Sequence, residues 1–353
     1  MDDRILQMLP KVYFPGAVFT GTNSLYYLKT LCPEKTLMLV SETAWKIHHA
    51  KIEKHMQTKN MKIINSEPSR SDMVKLHKDM EKNEYENIVG FGGGSVLDLA
   101  KTSRMKTRHI NLVLIPTTSG TGSEASRYSI LVNENMEKEA IASEKLLPDV
   151  VLLDPSFSVS LPEFETVYTS LDALAHSIEG LVSKMSNPIS DSLAIISIDM
   201  IINNILKIRE KLEDLEIRRN LQTAGFLSGL VQSSASVGLS HSFANNLGPK
   251  LEIPHGVAIS AFFVNTIKLN IGKTDKYEKL RGSLFFKDGD IVGKITDLFK
   301  KLGFYEYYKK LDLGKIDIKE AAEKIKNDVC TKTNPYNPSL EEIVNILSAV
   351  GTR

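Results

Sequence analysis

Asn87-Ile88-Val89-Gly90-Phe91-Gly92-Gly93-Gly94-Ser95-Val96-Leu97-Asp98-Leu99-Ala100-Lys101 is the stretch on which the fold turns. Asn87 to Phe91 reads as a strand. It runs into three glycines and Ser95, and a helix follows through Asp98 and Lys101. A strand that feeds glycines and then a helix N-terminus presents free backbone N–H groups and the positive end of the helix dipole. Glycine also lets the backbone approach a pyrophosphate closely. The pattern is neither Gly-x-Gly-x-x-Gly nor a Walker A loop. Taken alone, it suits a phosphate cradle and a tight glycine-rich turn equally.

The same alternation continues on both sides. Upstream, Val12-Tyr13-Phe14 with Pro15-Gly16 reads as a short strand and turn. Thr36-Leu37-Met38-Leu39-Val40 is a continuous apolar run and reads as a buried strand. Thr43 to about Lys59 is helix-like, Met61-Lys62-Ile63-Ile64 is the next strand, and Ser71 to Lys82 is a helix with Ser71 as its N-cap. Downstream, Leu112-Val113-Leu114-Ile115 is a strand ending at Pro116. This β-α-β-α order predicts a mostly parallel sheet with helices on both faces. Thr117-Thr118-Ser119-Gly120-Thr121-Gly122-Ser123-Glu124 then gives hydroxyls, two glycines and a carboxylate just past a strand. The carboxyl end of a parallel sheet is where α/β folds bind ligands. By itself this is an ordinary surface loop as readily as a site. After a first glycine loop, it reads as the second wall of one dinucleotide site.

Beyond Asp154-Pro155 and Leu161-Pro162 the pattern is helical almost throughout, broken at Gly248-Pro249 and Pro254. The domain boundary is therefore placed near residue 157: an α/β domain over 1–157 and an all-α domain over 158–353. In Leu171-Asp172-Ala173-Leu174-Ala175-His176, Asp172 and His176 are spaced i, i+4, which sets both on one helix face. That pair alone is also what a helix with a polar face and a satisfied histidine looks like. His241 sits near a helix start, and His255 stands between Pro254 and Gly256 at the entrance to an apolar helix. One carboxylate and three imidazoles suit a divalent transition metal, which would tie separate helices together.

At 353 residues, 42% hydrophobic and 25% charged, the composition is that of an ordinary globular chain of about two domains. A net charge of +1 marks no nucleic-acid or membrane-surface binder. Cys32 and Cys330 are the only cysteines, too few for a disulfide framework and suited to a reducing cytosol. Met1-Asp2-Asp3-Arg4 does not open a signal peptide, and no uninterrupted apolar run reaches the roughly 18 residues of a membrane span. A cytoplasmic protein is expected, with no nucleic-acid or membrane partner.

Four motifs in this order resemble the iron-containing (group III) alcohol dehydrogenase family over nearly the whole length: Gly92 to Lys101, Pro116 to Glu124, Leu171 to Glu179, and His241 through Pro254-His255-Gly256. The resemblance implies a Rossmann-like dinucleotide-binding domain (a parallel sheet), an all-α metal-binding domain, and a site in the cleft between them. It implies Asp172, His176, His241 and His255 as ligands of one divalent ion, Fe²⁺ in preference to Zn²⁺. It implies Gly92, Gly93, Gly94 and Ser95 as the pyrophosphate loop, with Asp98 just inside the helix. Thr117, Thr118 and Thr121 match the loop flanking the adenine and nicotinamide portions, and Lys138 falls where the family has a lysine near the cofactor ribose. Glu179, seven residues after Asp172, is either a partner of a ligand imidazole or a surface carboxylate.

The resemblance also sets the expected chemistry: NAD(P)-linked interconversion of a small-molecule alcohol and an aldehyde or ketone, with a homodimer left open. One position departs from the family. Four residues after His241 the family commonly has a second histidine, and here stands Asn245. Asparagine cannot titrate, but it donates and accepts hydrogen bonds, which leaves room for a polar aldehyde such as a sugar- or phosphonate-derived one. Glu42, at the end of the second strand, is in register with the family's NAD-selecting acidic residue, so NAD is expected over NADP, which is not excluded. Two other readings remain: a cyclising synthase of the dehydroquinate synthase type, for which no basic substrate-gripping set is found, and a catalytically silent metal- and nucleotide-binding module.

Overall fold

The structure, a computed structural model, describes residues 10–65, 67–107, 109–134, 138–304 and 311–351. The chain start, Met1 to Arg4, lies outside them. Six strands form one parallel sheet: β1 (Ala17–Thr20), β2 (Thr36–Ser41), β3 (Met61–Ile64), β4 (Asn87–Gly92), β5 (Asn111–Pro116) and β8 (Val150–Leu153). Their order across the sheet is β1-β8-β5-β4-β2-β3. Side chains alternate between faces along a strand. Met38, Val40, Val89 and Phe91 enter one core layer with Ala44 and Ile52 of α1 (Glu42–Glu53). Leu37, Leu39, Ile88 and Leu114 enter the other, with Leu76 of α2 (Arg70–Lys82) and Val96, Leu97 and Leu99 of α3 (Gly94–Lys106). Burial on both faces explains why these strands read as unbroken apolar runs. A two-stranded antiparallel hairpin, β6 (Tyr128–Val132) and β7 (Lys138–Ala142), stands apart from the sheet.

Local differences from the sequence reading have physical causes. The first strand lies at Ala17–Thr20, after the expected turn and not before it. Tyr13 instead gives its N–H to Ser234 Oγ at 3.2 Å. The N-cap of α2 is Ser69, whose hydroxyl accepts from the Asp72 N–H while the Asp72 carboxylate accepts from the Ser69 N–H. Such a reciprocal box outcompetes Ser71 two residues on.

The remaining chain is helical: α4 (Glu163–Val182), α5 (Pro188–Ile205), α6 (Leu215–Ala235), α7 (Leu239–Leu251), α8 (His255–Ile271), α9 (Ile291–Lys301), α10 (Ile318–Asn327), α11 (Val329–Thr333) and α12 (Leu340–Gly351). α4 is the axis of this half, buried almost all round from Thr166 to Val182. Its Leu171, Leu174 and Ile178 pack with Ala194, Ile198 and Ile201 of α5 and Ala224 of α6. By length and composition one stretch, Pro188–Arg209, is apolar enough to cross a membrane, with mean hydropathy 1.5. Asp191 and Asp199, with serines and asparagines, interrupt it, which is why no uninterrupted run stands out. Here α5 packs against α4 and α6 as a core helix.

Candidate metal and cofactor site

In open parallel sheets a ligand lies beyond the carboxyl ends of the strands, where successive crossovers leave in opposite directions. That point falls between β2 and β4. From β2 the chain moves outward to β3 through α1, and from β4 it turns the other way to β5 through α3 on the opposite face. Ser41-Glu42 and the glycine loop line this crevice. A Cβ on Gly92 would stand 3.0 Å from Ser41 Cβ and 2.9 Å from Val96 Cγ2. Gly93 is the N-cap of α3, and no side chain caps that helix. The N–H groups of its first turn, which includes Gly94 and Ser95, therefore remain for an anion.

The second polar loop closes over the first. Thr117 donates its N–H to Gly92 O at 3.0 Å. A Cβ on Gly93 would meet Thr118 Cγ2 at 3.5 Å, and one on Gly94 would meet Thr121 Oγ1 at 3.0 Å. The same loop rests on the helical half. At Gly120 a Cβ would come within 2.6 Å of Thr169 Cβ on α4. Gly122 has φ +57°, and its Cβ would lie 2.5 Å from Gly229 Cα on α6. Gly225 and Gly229, one turn apart, cut the notch in α6 that receives this loop. Sequence reasoning passed over them, although two glycines at i, i+4 inside a continuous helix are a packing signal.

Three expected cofactor residues are engaged with protein partners. Asp98 is buried; its Oδ1 accepts from Ser123 Oγ at 2.5 Å and pairs with Lys101 Nζ at 3.0 Å, and its Oδ2 accepts from the Ile130 N–H at 3.0 Å. It anchors the polar loop and the hairpin to α3. Glu42 is the first residue of α1 and pairs with Lys46 at 2.7 Å. Lys138 on β7 pairs with Glu67 at 2.6 Å, and its charge helps to depress the His255 imidazole.

Just beyond Thr169 on α4 come Asp172 and His176. Asp172 Oδ1 lies 3.6 Å from His176 Nε2 and 3.6 Å from His241 Nε2. The His176 and His241 rings stack with centroids 4.5 Å apart, and the His255 ring lies 5.7 Å from that of His241. His255 opens α8, where Gly256 lets the backbone pass α4; any Cβ there would be 2.2 Å from Tyr168 O. Asp172, His176 and His241 each offer a ligand atom within one 4.8 Å cluster. Two ligands at about 2.1 Å from one tetrahedral ion sit about 3.4 Å apart, close to the observed separations. Of the atoms that face one another here, Asp172 Oδ1 and His241 Nε2 are buried with no hydrogen-bond partner. Orphaned polar atoms at this depth are costly unless something else satisfies them, and a divalent ion fits this donor set.

The electrostatics mark a buried site that favours one positive charge, carried by the His241 proton on Nε2 until a metal ion displaces it. Burial pushes His176 and His255 down to about 4, so both rings are neutral and carry a lone pair. Burial alone would raise Asp172, but His176, His241 and His255 overcompensate and hold it well below the carboxylate range. Burial would lower His241, yet the Glu179 and Asp172 carboxylates lift it to about 9.

Glu179, left undecided by the sequence, is a buried partner. Its carboxylate accepts from His241 Nδ1 at 2.5 Å and from the N–H groups of Gly238 at 2.8 Å and Ser240 at 2.7 Å. It therefore fixes the tautomer with Nδ1 protonated and leaves Nε2 for a metal. Glu179→Gln is expected to weaken metal binding about 10- to 100-fold while the fold persists. Chelator competition measures this, and an unchanged metal affinity would remove Glu179 from the site.

Asn245 lies one turn beyond His241 on α7 and directs its amide at Cys330 Sγ, 3.8 Å away. Nearby, Arg127 is half-buried with its guanidinium 4.8 Å from the ring centres of both Tyr13 and Tyr128. Its Nε donates to Ser233 O at 3.1 Å, and it makes no ion pair among the described residues. Burial, opposed by Arg127 and helped by Cys330, raises the Tyr128 phenol.

Family models agree with this geometry. The iron-containing alcohol dehydrogenase model matches residues 15–155, and the C-terminal model of the Fe-containing alcohol dehydrogenase family matches 166–351. The chain belongs to the iron-containing alcohol dehydrogenase family, NAD(P)-dependent oxidoreductases that carry a metal ion. It is 27% identical to the NADPH-dependent butanol dehydrogenase of Clostridium saccharobutylicum, covering 95% of this chain and 96% of that one. It is 28% identical to the 4-hydroxybutyrate dehydrogenase of Clostridium kluyveri, covering 79% and 82%. The solved iron-containing alcohol dehydrogenase of Thermococcus thioreducens superimposes with a TM-score of 0.86 at 25% identity, covering 97% of this chain and all of that one.

Proposed function

We propose that Asp172, His176, His241 and His255 hold one Fe²⁺ ion and that the two apposed polar loops hold NAD beside it, so that the chain interconverts an alcohol and a polar aldehyde. The observation that carries this is the continuity of the two sites: Thr121 touches the glycine loop, and Gly120 touches α4 at Thr169, just before Asp172. A boundary at residue 157 then separates the dinucleotide half from the metal half. When bound, the ion supplies Lewis-acid polarisation of the substrate oxygen and the nicotinamide supplies the hydride carrier. The chain's own residues do the rest. Gly93, Gly94 and Ser95 offer backbone N–H groups to the pyrophosphate. Thr117, Thr118 and Thr121 form the opposite wall. Asp98 keeps that wall in place, and Lys138 would meet the ribose by exchanging its Glu67 partner for it. Glu179 orients His241, and the packed cleft aligns the two reacting carbons.

The polar substrate rests on Asn245, a hydrogen-bonding group one turn beyond the ligand His241 on α7. A relative acting on 4-hydroxybutyrate, a carboxylate, is consistent with it. The test is NADH oxidation by iron-loaded protein over a panel of aldehydes of equal length. Sugar-, phosphonate- or carboxylate-bearing aldehydes are expected to exceed neutral ones in kcat/KM by about tenfold, or about 1.4 kcal/mol. A preference for the neutral aldehydes would overturn the substrate reading, and no net cofactor turnover would overturn the reaction itself.

The cofactor choice follows from Glu42 beside the crevice. A carboxylate there accepts from ribose hydroxyls and repels a 2′-phosphate. Lys46 offsets part of that charge, so the expected preference is at most about tenfold, or about 1.4 kcal/mol, for NAD over NADP. Glu42→Gly should narrow it. Equal dissociation constants for the two cofactors in the unmodified protein would contradict the assignment.

A further inference from the structure

Arg127 stands where the two halves of the chain meet. It lies between the polar loop, which ends at Glu124, and β6. Lys101 on α3, the helix of the glycine loop, donates to Ser123 O at 2.9 Å and also to Tyr128 O. The backbone on either side of Arg127 is thus tied to the cofactor half. Toward the helical half, the Arg127 N–H donates to Ser233 Oγ and its Nε to Ser233 O, each at 3.1 Å, in the last turn of α6. The chain then turns directly into α7, which carries the ligand His241 and Asn245. Tyr128 hydrogen-bonds Ser236 in that turn and lies near Cys330. Cys330 in turn receives the Asn245 amide. Neighbouring side chains therefore lead from His241 through Asn245, Cys330 and Tyr128 to Arg127.

The guanidinium is held in place without being used up. The rings of Tyr13 and Tyr128 clamp it, and Tyr13 is itself pinned to α6 by its N–H bond to Ser234 Oγ at 3.2 Å. A guanidinium has five N–H donors. One goes to Ser233 O and one to the Tyr128 hydroxyl at 3.1 Å. Among the described residues no acceptor takes the others, and no carboxylate pairs with the charge. Lys138, the other cation acting on a metal ligand, is by contrast paired with Glu67. A guanidinium held against ring faces keeps its N–H fork, which binds a carboxylate or phosphonate in bidentate fashion. Resting on the dehydrogenase reading above, we propose that Arg127 grips an oxyanion at the far end of the substrate and so selects anionic aldehydes over neutral ones. The cofactor's pyrophosphate already has the first turn of α3, so the anion is the substrate's. The two rings and Ser233 fix the fork before substrate arrives, which lowers the ordering cost of gripping it.

The test uses iron-loaded protein with NADH and two pairs of aldehydes that differ in charge. These are succinic semialdehyde against its methyl ester, and phosphonoacetaldehyde against its dimethyl ester. The unmodified enzyme should prefer each anion to its ester by at least about tenfold in kcat/KM, a comparison that needs no variant. Arg127→Gln should lower kcat/KM for the anions by about 10- to 100-fold, mostly through KM, and leave the esters within about twofold. Arg127→Lys should recover part of the loss, with iron content and NADH affinity kept in both variants. Equal losses on anion and ester would make Arg127 a structural residue and overturn the proposal. Equal use of anion and ester by the unmodified enzyme would overturn it as well. A weakened NADH affinity in Arg127→Gln would place the side chain on the cofactor, with the same result. Succinate binding, read by calorimetry on protein loaded with Fe²⁺ and NAD, separates the anion site from the reaction. Succinate should bind the unmodified protein about 10- to 100-fold more tightly than Arg127→Gln, and equal affinities would overturn the proposal. If succinate bound through Arg127 while no aldehyde was turned over, the dehydrogenase reading would fall and the anion site would stand.

Discussion

His176→Ala is expected to lose bound metal and dehydrogenase activity together, with activity falling roughly a thousandfold or more. Lewis-acid polarisation is worth several kcal/mol, and each 1.4 kcal/mol or so is tenfold in rate. The side chain is buried on α4 with its Nε2 3.6 Å from Asp172 Oδ1, so its removal leaves the cluster one donor short. Dinucleotide binding should survive, because the glycine loop and its threonine wall belong to the other half. Metal content by elemental analysis and NAD affinity by fluorescence separate the two effects. If the variant lost nucleotide binding as well, the loss would be one of folding. If it kept full activity, the ligand assignment would be wrong.

Gly94→Val should do the reverse. A Cβ there already stands 3.0 Å from Thr121 Oγ1 and 3.1 Å from Thr121 Cγ2, and the added methyl groups would push the two walls apart and fill the space a pyrophosphate approaches. Hydrogen bonds to a charged group are worth about 1.5–3 kcal/mol each, so losing one raises the NAD dissociation constant by about 10- to 100-fold. Metal content should hold. An unchanged NAD affinity would show that the loop does not bind the dinucleotide.

The parts of the fold that can be read from the sequence are those whose physics is local. β2, β4 and β5 stand out because burial on both faces demands unbroken apolar runs. Asp172 and His176 stand out because i, i+4 is one helix turn. β1 does not, because a short exposed edge strand carries no alternation, and a four-residue apolar run such as Val150-Val151-Leu152-Leu153 does not show which strand it pairs with. The meeting of His241 and His255 with α4 is a matter of packing through Gly256 and the α6–α7 turn, and only the resemblance to a family pointed to it. Glu179 shows the limit most clearly. Its place on the α4 face was visible, but its partners Gly238, Ser240 and His241 lie some sixty residues away. Whether a carboxylate meets solvent or an imidazole is decided by that tertiary contact.

The most direct measurement is diffraction at the iron absorption edge from protein loaded with Fe²⁺ and NAD. The account predicts one anomalous peak, within about 2.0–2.3 Å of Asp172, His176, His241 and His255, with the NAD pyrophosphate against Gly93, Gly94 and Ser95. A peak bound by other residues, or a dinucleotide seated away from the glycine loop, would contradict it.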